Sequence, residues 1–173
     1  TKVGGLIDPD IERIISLKPD LVVVYGTQSD LRTQMERAGI PIFLYQHSGL
    51  TDITSTIRDL GARVGRVRES RELADRIEAD IDAVRKRVAG RPRPRTLLVF
   101  GRDAETLRGI YASGGIGFLH DMLEAAGGEN VFADVKRQSI QATSELVITR
   151  APDVIVEIGA DTASSSGRNL GAW

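Results

Sequence analysis

The sequence predicts an α/β protein with two lobes and a long helix between them, and three observations support this. Short apolar runs of strand length alternate with helical segments on both sides of the middle of the chain. A charged stretch over residues 69–89 has the periodicity of one long helix. A pattern of Glu followed by Pro-Asp occurs once on each side of that stretch.

Composition places few limits on function. The 173 residues are 41% hydrophobic and 27% charged, with a formal net charge of −1. This balance gives no support to a nucleic acid or an anionic membrane as partner. The sequence has no cysteine, which excludes disulfides, thiolate catalysis and cysteine-ligated metals. It shows no apolar run of membrane-spanning length and no signal peptide.

The first lobe is predicted over residues 1–66. Asp8-Pro9-Asp10 has the pattern of a helix start with Asp8 as the N-cap, and Pro19 ends that helix. Residues 21–25 and 40–45 are apolar runs of strand length, and helices are expected over 30–38 and 51–64. The alternation of strand and helix predicts a parallel sheet.

The inter-lobe helix is predicted over residues 67–91. Its apolar positions are Leu73, Ile77, Ile81, Val84 and Val88, with steps of four, four, three and four residues. About 20 helical residues give a rod of roughly 30 Å. A rod between two lobes and a surface helix packed on one domain both remain open.

The second lobe is predicted over residues 92–173. Strands are expected at 96–100 and 154–158, and a helix at 118–126. Residues 130–141 are predicted to be irregular, and Thr143 or Ser144 to cap a short helix. Both lobes have few strands, so we expect both to be incomplete in this chain.

An internal repeat relates the two lobes. Glu12 and Glu145 are each followed, seven and eight residues later, by Pro-Asp and a β-branched run. The alternative is that Pro-Asp is a common sequence at the end of a helix and that the two copies arose by chance. If the repeat is real, the two glutamates form a pair that could dock onto arginines of a partner.

Candidate ligand contacts lie where predicted strands end, because ligands of open α/β sheets bind outside the carboxyl ends of strands. They lie within residues 25–28, 45–48 and 111–114, and those singled out are Tyr25 with Gly26, Tyr45 with His47, and Tyr111 with Ser113. The glycines after Ser113 allow two interpretations, a phosphate cradle or a tight turn beside a ligand. No histidine pair has metal-ligand spacing and no catalytic motif is present, so the sequence predicts no enzyme.

A set of short motifs occurs in order along nearly the whole chain: Val3-Gly4-Gly5, Asp8-Pro9-Asp10-Ile11-Glu12, Leu17-Lys18-Pro19-Asp20-Leu21-Val22, Gly39-Ile40-Pro41, Asp52-Ile53, the long helix, Ala126-Gly127-Gly128-Glu129-Asn130, Ser144-Glu145 and Pro152-Asp153-Val154-Ile155. By these motifs the chain resembles the cobalamin and iron-siderophore class of substrate-binding proteins that feed ABC importers.

The resemblance implies two Rossmann-like lobes joined by a long rigid helix, with a ligand held in the cleft between them. It implies capture of a ferric siderophore, cobalamin or haem without catalysis, cofactor or resident metal. Glu12 and Glu145 match the family's docking glutamates for the ABC permease. Beside the strand-end residues, the ligand contacts carry over to a loop with Arg137, Gln138 and Ser139. An α/β enzyme or nucleotide-binding domain that shares only the architecture is the alternative.

Two departures from the family bear on the ligand and the chain. Cobalamin-binding relatives often place aromatic residues where Leu6 and Ser139 stand, and Lys136 and Arg137 favour an anionic chelate such as a ferric siderophore. The family's first and last strands are absent, so we expect a piece of a longer secreted protein. That protein is expected to be a monomer, periplasmic or anchored to the membrane outside the cell, with its signal sequence outside this chain.

Overall fold

The computed structural model describes residues 1–5, 7–46, 48–103, 105–159 and 173. Helices and strands alternate along this part of the chain in the order α1 (Ile11–Ser16), β1 (Val22–Tyr25), α2 (Ser29–Arg37), β2 (Ile42–Tyr45), α3 (Leu50–Arg63), α4 (Val67–Val88), β3 (Arg95–Gly101), β4 (Ile110–Ser113), α5 (Phe118–Ala125), β5 (Glu129–Asn130), β6 (Ser139–Ala142), α6 (Ser144–Arg150) and β7 (Val154–Glu157). The chain divides into two compact units, Thr1–Gln46 and His47–Trp173. The predicted α/β class is confirmed.

The first unit contains a parallel pair of strands. β1 and β2 pair in register from Val22 opposite Ile42 to Tyr25 opposite Tyr45. Helices α1 and α2 contribute to a small core, whose buried members are Ile14, Val24, Leu31 and Met35. The parallel pairing predicted from the two apolar runs is confirmed.

The start of α1 differs from the prediction. Asp8 is not the N-cap, because the helix begins at Ile11 and the side chain of Asp10 accepts a hydrogen bond from the Arg13 N–H at 2.9 Å. Pro9 forms an isolated antiparallel bridge with Gly4. This pairing keeps the backbone extended through Pro9, so the helical turn can start only after it.

The second unit contains a mixed sheet with β3 near its centre. β5 and β7 run parallel to β3, β4 runs antiparallel to β3, and β6 runs antiparallel to β4. Thr96 pairs with residues of both β5 and β7, which places these strands on opposite sides of β3. The core around this sheet includes Leu97, Val99, Ile110 and Phe132, all fully buried.

The segment 130–141, predicted to be irregular, is so only in part. Residues 131–138 are turns and bends, as predicted, whereas Asn130 ends β5 and residues 139–141 lie in β6. β6 has only four residues, and two of them, Ser139 and Gln141, are exposed. It forms by pairing with β4, from Ile110 opposite Ala142 to Ser113 opposite Ser139. A strand that depends on a partner some 30 residues away leaves little local pattern in the sequence.

The long helix is confirmed as α4, and it packs against α3 and α5 within the second unit. A Cβ at Gly61 of α3 would overlap the Ser70 side chain, so the two helices approach closely there. Arg58 of α3 donates to Glu78 at 2.7 and 2.8 Å and to Asp75 at 2.7 Å. The division into lobes over 1–66 and 92–173 with α4 between them stays a prediction.

Candidate functional site

The carboxyl ends of β1 and β2 bring together three predicted ligand residues. Tyr25 and Tyr45 are partners in the parallel register, and their ring centroids lie 5.1 Å apart at an interplanar angle of 53°. The N–H of Gly26 donates to the carbonyl of Tyr45 at 2.9 Å, which ties the loop after β1 to the end of β2. We call Tyr25 and Tyr45 the tyrosine pair. It forms a half-buried aromatic surface at this edge of the sheet.

A cleft of about 340 Å³ adjoins the tyrosine pair. Its lining is part apolar and part polar, and consists of Ile7, Pro9, Tyr25, Thr27, Gln28, Ser29, Asp30 and Leu31. The side chain of Gln28 accepts from the Tyr25 N–H at 3.1 Å and so folds the loop back onto the strand end. Gln28 belongs to the strand-end stretch 25–28, which the sequence predicts to face a ligand. His47, which was predicted to lie here, falls outside the described residues.

In the second unit, the antiparallel pairing of β4 with β6 brings together Tyr111, Ser113 and Ser139. Ser113 lies opposite Ser139, and Tyr111 lies two pairs further along, opposite Gln141. Tyr111 is 47% exposed, and its ring lies 6.4 Å from that of Phe100. Ser113 is fully buried and its hydroxyl donates to the Gly114 carbonyl at 3.1 Å, so its side chain is turned into the protein.

The glycines after Ser113 make room for the chain itself. A Cβ at Gly114 would overlap the Arg137 carbonyl, and one at Gly115 would overlap Ala133. The N–H of Gly114 donates to Gln138 O at 3.1 Å, and that of Gly115 to Val135 O at 2.8 Å. Because these donors are used within the chain, the phosphate cradle considered from the sequence is excluded at both glycines.

This packing holds the predicted residues Arg137 and Gln138 against the end of β4, and both are exposed. We call Tyr111, Ser113, Arg137, Gln138 and Ser139 the glycine-loop cluster. The structure brings its members together, and their contact with a ligand stays a prediction. The same holds for Tyr25, Gly26 and Tyr45 of the first unit.

Asn130 fixes the glycine-loop cluster and was missed by the sequence reasoning. It is 3% exposed, and its amide nitrogen donates to Gly114 O at 2.9 Å. The same nitrogen lies 3.2 Å from Nδ1 of His120, while its amide oxygen accepts from the Phe132 N–H at 2.9 Å. One buried side chain therefore joins β5, α5 and the glycine turn. The motif Gly127-Gly128-Glu129-Asn130 was the available signal.

The predicted docking glutamates occupy the same position on two short helices. Glu12 is the second residue of α1 and Glu145 the second residue of α6, and both are exposed. In each helix the N-cap side chain accepts from a backbone N–H three residues on: Asp10 from Arg13 and Thr143 from Leu146. We call α1 and α6 the glutamate helices.

The glutamate helices also end alike. Among the described residues, the non-glycine residues with positive φ are Lys18, at 47°, and Ala151, at 44°. Each directly precedes the Pro-Asp of its repeat, and each is followed by a strand, β1 or β7. The left-handed conformation is unfavourable for residues with a Cβ, so two occurrences at equivalent positions show that the repeat extends to the backbone.

The pKa of the Glu145 carboxyl lies below its usual value. Its own backbone N–H at the start of α6 is the largest cause, and the Thr143 hydroxyl adds to it. Both favour the charged carboxylate. None of the ion pairs among the described residues involves Glu12 or Glu145. The carboxylates are thus available to a cation from outside this part of the chain.

Neither a metal cluster nor a membrane span was found in the described residues. No group of at least 3 His, Cys, Asp or Glu side chains among them could hold a metal ion. Within the same residues, no helix combines the length and the apolar character needed to cross a bilayer.

Comparison with known proteins places the chain among periplasmic binding proteins. The model of the periplasmic binding protein family matches residues 1–166. A vitamin B12-binding protein of Yersinia pestis is 30% identical over 155 residues, which cover 88% of this chain and 54% of the relative. The chain thus spans about half the length of the curated relatives it matches.

Solved structures share the fold. An ABC transporter substrate-binding protein from Listeria monocytogenes is 27% identical with a TM-score of 0.78, over 92% of this chain and 61% of that one. An S. aureus protein complexed with haem is 22% identical with a TM-score of 0.74, over 91% of this chain and 60% of that one. These relatives and the matched family are binding proteins rather than enzymes, which agrees with the prediction from the sequence. The chain belongs to the periplasmic binding protein family.

Proposed function

We propose that this protein is the substrate-binding component of an ABC importer, which captures a metal chelate outside the cytoplasm and delivers it to the permease. It would act as a monomer, in the periplasm or anchored to the outer face of the membrane. The observation that carries the proposal is the pair of exposed glutamates at equivalent positions of the glutamate helices. The family match supports the same function.

Docking onto a permease is supported by the chemistry of Glu12 and Glu145. Both carboxylates are exposed. Hydrogen bonds to the Glu145 carboxylate lower its pKa and so favour its charged form further. Arginine is the complementary partner, because its planar guanidinium matches a carboxylate with two hydrogen bonds. Such contacts set the orientation and the rate of association more than the affinity.

The cargo is proposed to be a ferric siderophore, cobalamin or haem. The tyrosine pair and the exposed Tyr111 offer aromatic faces, which suit a flat ring system or the aromatic groups of a chelate. The relatives named above bind vitamin B12 and haem. Lys136 and Arg137 are exposed cations beside the glycine-loop cluster, and they favour a chelate with negative charge.

The cargo is tested by calorimetric titration of the natural protein that contains this sequence. The probes are cyanocobalamin, haemin and a panel of ferric siderophores. We expect one-to-one binding with a dissociation constant at or below roughly 1 µM for one of them, the range expected for a built site rather than adventitious contact. No measurable binding of any of these probes would overturn the proposal that the cargo is a metal chelate.

Delivery is tested with Glu12→Ala and Glu145→Ala together. We expect uptake of the identified chelate by cells with the matching importer to be lost, while the dissociation constant for the chelate is unchanged. The control replaces Glu36 and Glu72, exposed glutamates on α2 and α4, with alanine. Uptake at the wild-type level in the first variant, or an equal loss in the control, would contradict the docking role.

A further inference from the structure

The glutamate helices share a second feature that their docking glutamates do not require. Three residues after each glutamate stands an isoleucine whose side chain is exposed to solvent: Ile15 is 38% exposed and Ile148 is 76% exposed. The residue just before each isoleucine is buried, since Ile14 is 7% and Val147 is 8% exposed. The order of exposed glutamate, buried aliphatic and exposed isoleucine is therefore the same in both units.

Side chains three residues apart on a helix are neighbours on its surface. Each glutamate helix therefore presents a carboxylate and a branched apolar side chain side by side. Ile14 and Val147 hold their helices to the cores of their own units, so Ile15 and Ile148 are not needed for that attachment. A single exposed isoleucine is ordinary on a protein surface. Two exposed isoleucines at equivalent positions of a repeat, each beside a glutamate, indicate that both serve the same role.

We propose that Ile15 and Ile148 are apolar anchors for the permease. Each packs into an apolar patch of a permease surface whose arginine pairs with the neighbouring Glu12 or Glu145. This inference rests on the proposed function, because the glutamates define where the permease docks. The glutamate requires a cationic group on the partner by charge complementarity, and the neighbouring isoleucine requires an apolar patch. The permease surface should therefore have both next to each other.

The pairing has a physical reason. An ion pair at an exposed surface contributes little, because water screens it and both side chains lose freedom. An apolar contact beside the pair excludes water, which strengthens the charge interaction and adds the burial of the isoleucine itself. Interfaces commonly place their strongest contacts in such water-excluded surroundings.

The test measures binding of the natural protein to its importer reconstituted in nanodiscs, by surface plasmon resonance. Ile148→Ser should weaken binding roughly tenfold, and Ile15→Ser less, because Ile148 has more exposed area to bury. The loss should appear in the dissociation rate, with the salt dependence of association kept. Glu12→Ala and Glu145→Ala should instead slow association and reduce its salt dependence.

Two controls accompany the isoleucine variants. Val64→Ser replaces an apolar side chain that is 52% exposed at the end of α3, outside the glutamate helices, and should leave binding unchanged. Ile148→Leu keeps the apolar area and should retain most of the affinity. The thermal unfolding and chelate affinity of each variant show that it is folded.

The outcomes separate the inference from the proposed function. Suppose that the glutamate variants lose binding while both isoleucine variants bind as the wild type does. The proposed anchor role of Ile15 and Ile148 is then wrong, and the docking role of the glutamates is retained. If the wild-type protein does not bind the importer, or the glutamate variants bind normally, the docking function is wrong and the anchors with it. An equal loss in Val64→Ser would also contradict the anchors.

Discussion

Tyr25 and Tyr45 illustrate how a side chain reaches its place through local backbone structure. Each ends a short parallel strand, so the register of β1 and β2 alone brings their rings together. The sequence could predict this, because both apolar runs end in tyrosine. Asn130 is the opposite case, since its partners come from the glycine turn after β4, from α5 and from the turn after β5. A sequence pattern does not show which buried carbonyls an amide will meet.

The role of the tyrosine pair is tested by comparing Tyr25→Ala with Tyr25→Phe. An aromatic contact contributes about 0.5–1.5 kcal/mol beyond its buried area, so we expect Tyr25→Ala to weaken chelate binding roughly tenfold or more. Tyr25→Phe keeps the ring and should stay within about threefold of the wild type. The dissociation constant is measured by calorimetry with the chelate found in the panel. An unchanged constant in Tyr25→Ala would place the chelate elsewhere.

Asn130→Ala is expected to destabilise the second unit by about 2 kcal/mol, because it leaves the Phe132 N–H without its partner and removes one of the donors to the Gly114 carbonyl. The free energy of unfolding is measured by urea denaturation. Gln141→Ala, which removes an exposed amide from β6, is the matched control and should cost far less. Equal effects of the two substitutions would show that the Asn130 hydrogen bonds contribute no net stability.

The pair of helices α3 and α4 shows what determines structure at the scale of elements. The sequence of α4 alone specifies a long amphipathic helix, because its apolar positions repeat with helical spacing. Its position against α3 depends on the close approach at Gly61 and on Arg58, which joins Glu78 and Asp75. Hydrogen bonds from Arg58, and next from Thr54, lower the pKa of Glu78 to about 2.

This lowered pKa predicts how stability changes in acid. A carboxyl group whose pKa is lower in the folded than in the unfolded state stabilises the fold above its unfolded pKa. For Glu78 that contribution is complete above the ordinary value of 4.5 and is lost as the pH falls towards about 2. Glu78→Gln should therefore be less stable than the wild type at pH 6, and the difference should shrink steadily as the pH falls from about 4.5 towards 2.

The measurement is urea unfolding of both proteins between pH 2 and pH 7, the range that brackets the two pKa values. Asp80→Asn, which replaces another exposed carboxyl of α4, serves as the control for the loss of a surface carboxylate as such. A difference between wild type and Glu78→Gln that is constant across the range would mean that the Arg58 contact does not depend on the charge of Glu78.

At the scale of the whole molecule, the two compact units differ in what holds them together. Among its described residues, the first has one pair of strands and a core of four buried residues, Ile14, Val24, Leu31 and Met35. The second has a sheet built around β3 with a larger core and three packed helices. An isolated two-stranded sheet is marginally stable, so the units are expected to open with different free energies.

Hydrogen exchange tests this difference. Backbone amides of β1 and β2 should exchange at least roughly tenfold faster than those of Leu97 and Val99 at the centre of β3, because opening the first unit exposes less apolar surface. The rates are measured by NMR or by mass spectrometry of peptides from the natural protein. Equal protection in both units would show that they open as one cooperative body.

The sequence by itself determined the α/β class, the parallel β1–β2 pair, the long helix α4, the repeat around Glu12 and Glu145, and the family. These features follow from periodicity, helix caps and Pro or Gly positions, which act over a few neighbouring residues. Only the tertiary structure decided that Ser139–Ala142 forms a strand, that Gly114 and Gly115 accommodate the chain's own backbone, and that Asn130 joins three elements. Those features depend on hydrogen bonds and close approaches between residues far apart along the chain, which no local pattern records.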